Sequence, residues 1–139
     1  MLTTIDLNQA MKKDRDFYGV FPQNRLPIVL MPKPFKIIVN LDESWKPGSH
    51  WVAIYSQKHG PTVYFDSFGR PPTPVIETFI ERNSPDGWFY TREKLQGDLS
   101  TLCGLYCIMF LNYCPRITYF LSKFKDCDNF NDYKLIKNL

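Results

Sequence analysis

Residues 98–114 read Asp-Leu-Ser-Thr-Leu-Cys-Gly-Leu-Tyr-Cys-Ile-Met-Phe-Leu-Asn-Tyr-Cys. Between Leu102 and Leu111 the only strongly polar side-chain atom is the phenol oxygen of Tyr106. A helix apolar on every face is buried rather than laid on a surface, so this stretch predicts a central helix around which the chain is organised. Pro115 stops it, because proline lacks the N–H and clashes with the preceding turn. Ser100 and Thr101 stand before it as N-cap candidates. Cys103 then falls in the first turn, where the helix dipole favours an anion and thiols ionise more readily. Taken alone, the stretch reads first as core, since free cysteine is among the most buried residue types. The rest of the chain shifts that balance.

The chain has 139 residues, which predicts one domain, 1–139, long enough to bury a proper core. An apolar share of 44% against 22% charged is that of an ordinary soluble globule. No run approaches the roughly 18 apolar residues that would suggest a membrane span. The first residues have neither the basic start nor the apolar centre of a signal peptide. The four cysteines are therefore expected as reduced thiols, in a cytosolic, nuclear or virion setting and not a secreted one. With two histidines and no C-x-x-C, no metal site is expected. A net charge of +3 permits a polyanion partner without demanding one.

Upstream, residues 4–13 read as an amphipathic helix capped by Thr3 or Thr4, with Ile5, Leu7 and Met11 apolar. Residues 17–27 read as a loop rich in aromatics and breakers. Pro27, Pro32 and Pro34 keep 28–34 extended but unfit for a central strand. Residues 35–41 are short and β-branched, hence a strand, and 42–49 form a loop. Residues 50–55 are a second strand, apolar on both faces after the histidine and so interior to the sheet. Residues 58–61 turn the chain, and 62–66 return antiparallel. Thr73 and Pro74 open a helix as N-cap and first helical residue, with Ile76, Phe79 and Ile80 as its buried stripe. Residues 88–92 form a short aromatic strand. After Pro115, Ile117, Phe120, Leu121 and Phe124 mark one more amphipathic helix, and 126–139 is polar with weak helical periodicity near its end. The fold class is α+β, a small mixed sheet packed on the buried helix with peripheral helices around it.

A hairpin of this size sets the start of one strand beside the end of the other, so His50 and Asp66 are expected as neighbours. A histidine held by a carboxylate, next to a thiol at a helix N-terminus, is a nucleophile–base–orienter arrangement. The chemistry needs it, because an unperturbed thiol is only a few per cent thiolate at neutral pH. Against this stand plainer readings. Asp66 with Ser67, Phe68 and Gly69 makes ordinary turn chemistry, His50 is a strand-end hydrogen bonder, and Gln96 is a surface amide. His59, between Lys58 and Gly60, reads as a turn residue.

Taken together, His50-Trp51, then Tyr64-Phe-Asp66-Ser-Phe-Gly69, then Gln96, then Cys103-Gly-Leu-Tyr-Cys-Ile-Met-Phe-Leu111 resemble the adenovirus-type cysteine endopeptidases, the adenain family. The order His, Asp, Gln, Cys is also that of the wider superfamily containing the SUMO-specific proteases. Residues 17–27 and 38–40 resemble the family's N-terminal portion and Ser84-Pro-Asp86 a later segment, so the likeness runs from Phe17 to Leu111. It implies a papain-like or adenain-like cysteine protease fold, with the nucleophile on the buried helix. It implies Cys103 as nucleophile, His50 as general base and acid, and Asp66 as third member. Gln96 would supply its side-chain amide to an oxyanion hole, beside the backbone N–H of Cys103. Trp51 matches the aromatic that follows the family's histidine, which makes it a substrate-binding candidate as well as a strand core residue.

The chain departs from that family in three places. Asp66 stands where the adenoviral enzyme commonly has Glu, as in the SUMO proteases. Gly87 and Trp88 lie where a cysteine captures the adenoviral activating peptide, so no disulfide-linked activation is expected. Trp88 is expected instead to steady the Gln96 segment by packing, or to anchor a peptide that binds non-covalently through an apolar pocket. The tail after Leu111 is shorter, so an extra lobe is reduced or absent. The resemblance implies an endopeptidase that cleaves viral precursor proteins next to Gly, in the virion and infected cell; a monomer is expected. No cofactor is required, and activation by DNA or a viral peptide, with weak DNA binding, is an expectation of the same kind. The alternatives are an isopeptidase acting after Gly-Gly on ubiquitin-like conjugates, an acyltransferase sharing the triad, and a catalytically dead binding module.

Overall fold

A computed structural model describes residues 2–42, 50–97, 100–124 and 130–137. The elements are α1 (Thr4–Met11), β1 (Phe17–Pro22), β2 (Phe35–Asn40), β3 (Trp51–Ser56), β4 (Thr62–Phe65), α2 (Pro74–Arg82), β5 (Trp88–Tyr90), α3 (Cys103–Tyr113), α4 (Ile117–Leu121) and α5 (Phe130–Lys137). The strands form one sheet in the order β1-β2-β3-β4-β5. β1 runs parallel to β2, β2 and β4 run antiparallel to β3, and β5 runs parallel to β4.

Side chains alternate across a strand, and here both faces are covered. Ile38, Trp51, Ala53, Tyr55, Val63 and Phe65 face a core that includes Leu7, Tyr106, Cys107, Phe110 and Phe120. Phe35, Ile37, Val39, Val52, Ile54 and Tyr64 face a second core with Ile76, Phe79 and Ile80 of α2. β3, apolar on both faces, is the middle strand, as its composition requires. α3 lies against it and buries Cys103, Gly104 and every residue from Tyr106 to Leu111. Phe110 stacks on Phe65 at 4.5 Å between ring centroids, and Phe120 meets both rings edge-on at 5.7 and 5.5 Å. Such aromatic pairs add about 0.5–1.5 kcal/mol each beyond area burial, and these tie α3 and α4 to the sheet.

Four local expectations change. Residues 17–22 form a strand, not a loop. β1 is an edge strand, where Pro22 and a register shift at Gly19 (φ +131°) are tolerated. The N-cap of α3 is Leu102, with no side-chain cap; Ser100 Oγ instead accepts from Leu102 N at 3.3 Å, and Thr101 caps nothing. α4 ends at Leu121, although Phe124 is still buried beyond it. Trp88 pairs with Thr62, at the opposite end of β4 from Asp66, and packs on the α2 side; it does not steady the Gln96 segment. The expected loop beyond Asp42, together with Asp98, Leu99 and Cys127, lies outside the described residues. No helix among the described residues is long and apolar enough to cross a membrane.

Candidate active site

The start of β3, the end of β4 and the N-terminus of α3 meet at one end of the sheet. Gly104 lets them close. A methyl there would lie 3.4 Å from Trp51 Cδ1 and 3.3 Å from both Leu2 and Leu7. Cys103 is thereby held beside the residue that precedes β3. That residue is His50, whose carbonyl accepts from Leu41 N at 3.0 Å and continues the ladder with β2.

The imidazole Nε2 of His50 lies 2.8 Å from Oδ1 of Asp66, a residue only 1% exposed. The same Oδ1 accepts from Phe68 N at 2.8 Å, and the Asp66 carbonyl accepts from Gly69 N at 2.7 Å. The turn after β4 is therefore built on the carboxylate that orients the histidine. Gly69 adopts φ +73°, and a Cβ there would come within 2.6 Å of the Arg92 carbonyl. Only glycine fits both conditions. The turn carries Phe68 against the His50 ring, 5.0 Å between centroids, and Arg70 lies over Phe68 at 4.8 Å.

The Cys103 thiol is the other group that favours a charged imidazole. With Nε2 taken by the carboxylate, Nδ1 is the nitrogen left for the sulfur. Burial disfavours a charged imidazole, but the hydrogen bonds to Asp66 and Cys103 outweigh it and raise His50 from 6.5 to about 9. His50 therefore holds its proton at neutral pH.

Gln96, 1% exposed, sits on the same turn. Its backbone N–H and that of Leu95 both donate to the Ser67 carbonyl, at 3.0 and 2.8 Å. Its Oε1 accepts from Ser67 Oγ at 2.5 Å, and its Nε2 donates to the Ser100 carbonyl at 2.8 Å. These two bonds fix which way the amide faces, and an amide nitrogen has a second N–H to give.

No protein-family model matches the chain. A protein of Acanthamoeba polyphaga mimivirus named "Putative thiol protease R355" is 29% identical over 140 residues, covering 79% of this chain and 46% of that protein. Two crystal structures of the ASFV pS273R protease, one with selenomethionine, match with a TM-score of 0.67 at 18% identity. The match covers 97% of this chain and 66% of theirs. The fold is that of the ASFV pS273R protease. The chain spans about half the length of the mimivirus relative and just under two thirds of the ASFV protease.

Within this fold, His50, Asp66, Gln96 and Cys103 come together at one end of the sheet. Of the two readings of Trp51, the structure shows the strand core one. At 2% exposure it belongs to the core beneath α3, with its indole N–H unpaired among the described residues. The physical reason is its place in β3, where position 51 faces the helix layer. Sequence reading placed Ser67 and Phe68 in the turn after Asp66 but gave them no contact with Gln96 or His50, which the structure shows. The described residues contain no cluster of three or more His, Cys, Asp or Glu that could hold a metal.

Proposed function

We propose that this chain is a cysteine endopeptidase of viral type, with Cys103 as nucleophile, His50 as base and acid, Asp66 as orienter and Gln96 as oxyanion donor. The observation that carries the reading is the imidazole held between a buried carboxylate and a thiol at the start of a buried helix. The sulfur attacks the scissile carbonyl carbon while its proton resides on His50. The oxyanion that forms takes hydrogen bonds from Gln96 Nε2 and the Cys103 N–H. His50 then protonates the leaving amine, and the thioester left on Cys103 is hydrolysed by a water that His50 deprotonates. Asp66 holds Nε2 throughout, which keeps Nδ1 turned to the sulfur.

The substrates of this reading are polypeptides cut next to Gly, in virions and infected cells. Its support is the motif likeness to the adenovirus-type enzymes and a relative encoded by a virus. Asp66 in place of Glu favours a second reading, an isopeptidase acting after Gly-Gly on ubiquitin-like conjugates. Activation needs no disulfide-linked peptide in either case, and any DNA effect is modest and salt-sensitive at a net charge of +3.

The experiment offers the purified chain a Gly-Gly peptide, a Gly-Gly–Lys isopeptide, and acetyl-coenzyme A with an acceptor protein. Cleavage of the peptide, insensitive to dithiothreitol, is the expected result. Turnover of the isopeptide alone moves the reading to the SUMO-protease type. Acetyl transfer without hydrolysis would overturn both.

A further inference from the structure

The tail of the chain reaches back to the site. α5 is short, and an isolated helix of this length is marginal in water. Two consecutive residues near its start make specific polar contacts far from it in sequence. Asn131, fully buried, donates from Nδ2 to the Leu95 carbonyl at 2.9 Å. Asp132 accepts at Oδ1 from Ser100 Oγ at 3.0 Å and from Tyr106 OH at 2.8 Å. Leu95 and Ser100 bracket Gln96. Ser100 in turn gives its carbonyl to Gln96 Nε2 and accepts Leu102 N on the hydroxyl that Asp132 holds. Leu102 is the residue from which α3 and the Cys103 N–H start.

We propose that Asn131 and Asp132 are positioning residues of the active site: they hold Leu95 and Ser100 on either side of Gln96, as a clamp, and, through Ser100, aim both donors of the oxyanion hole. The proposal rests on the reading of Gln96 as one of those donors. Ser67 holds Leu95 and Gln96 but, among the described residues, makes no hydrogen bond to Ser100. Asp132 holds Ser100, and does so with a carboxylate, which makes stronger hydrogen bonds than a neutral acceptor.

The test measures kcat and KM on the cleaved peptide for Gln96→Ala, Asp132→Ala, Asp132→Asn and the Gln96→Ala/Asp132→Ala double variant. The rate at which iodoacetamide labels Cys103 is measured in parallel. Asp132→Ala should lower kcat about 10- to 100-fold, the scale of a misplaced catalytic group, with KM little changed. Asp132→Asn keeps an acceptor oxygen and should recover most of the loss. Labelling of Cys103 should hold its rate, because its partners His50 and Asp66 are fixed by other elements. In the double variant the further loss beyond Gln96→Ala should be smaller than the loss Asp132→Ala causes alone, because only the Cys103 N–H is left to be misaimed. A full additional loss in the double variant, or labelling that falls in step with kcat, would overturn the clamp and leave a merely structural contact. So would an unchanged kcat in Asp132→Ala while Gln96→Ala is impaired. An unchanged kcat in Gln96→Ala would instead remove the oxyanion reading, and the clamp with it. If Asp132→Ala does not fold, Ser100→Ala carries the same comparison, since it deletes the hydroxyl but keeps the carbonyl that Gln96 uses.

Discussion

Replacing Asp66 by Asn keeps the shape of the side chain and removes its charge. The carboxylate is buried, takes His50 Nε2 and Phe68 N on one oxygen, and has Arg70 Nε 3.6 Å from the other. A hydrogen bond to a charged partner is worth about 1.5–3 kcal/mol, so kcat/KM should fall roughly 10- to 150-fold. The pH profile should move too. His50 stands at about 9 because its hydrogen bonds to Asp66 and Cys103 outweigh burial. The leaving amine needs protonated His50, so wild-type activity should fall as pH rises through about 9. Without the carboxylate, burial is less opposed, and that limb should move down by about one to three units. Linkage carries the same sign. The raised imidazole stabilises the fold fully below its ordinary value of 6.5, and that contribution fades as pH rises through about 9. The assay is kcat/KM between pH 5 and 10, which reports the free enzyme's groups, with thermal melts at each pH. An alkaline limb that stays near 9 in Asp66→Asn, at undiminished kcat/KM, would refute the assignment of Asp66 as orienter.

Other expectations follow from single contacts. Gln96→Ala should lower kcat by about 10²- to 10³-fold with KM little affected, since the donor acts on charge present only in the transition state; an effect confined to KM would make Gln96 a substrate-binding residue. Gly69→Ala should destabilise the chain and slow turnover together, because the new methyl would meet the Arg92 carbonyl at 2.6 Å; an unchanged melt and rate would mean that the turn relaxes without disturbing Asp66. Phe110→Ala should cost about 3–5 kcal/mol in chemical denaturation, as it empties the centre of the Phe65–Phe110–Phe120 cluster.

Much of this was legible in the sequence where one local rule decided the outcome. The all-apolar run gave α3, the two-faced apolar strand gave the centre of the sheet, and Thr73-Pro74 gave the start of α2. The placing of His50 by Asp66 followed from hairpin geometry alone. What escaped depends on partners distant in the chain. β1 exists because β2 offers it an edge, despite Gly19 and Pro22. Asn131 and Asp132 look like surface polar residues until Leu95, Ser100 and Tyr106 are brought beneath them.

The central claim is that the thiol of Cys103 performs the hydrolysis. The most direct measurement follows cleavage of a Gly-Gly peptide while iodoacetamide is added at neutral pH, with mass spectrometry locating the label, and repeats the assay on Cys103→Ala. Burial raises the thiols of Cys107 and Cys114, the latter to about 12, so neither should compete for the reagent. The account predicts that activity disappears in proportion to label on Cys103 and that folded Cys103→Ala does not cleave. Cleavage by Cys103→Ala, or full activity in enzyme labelled at Cys103, would contradict it.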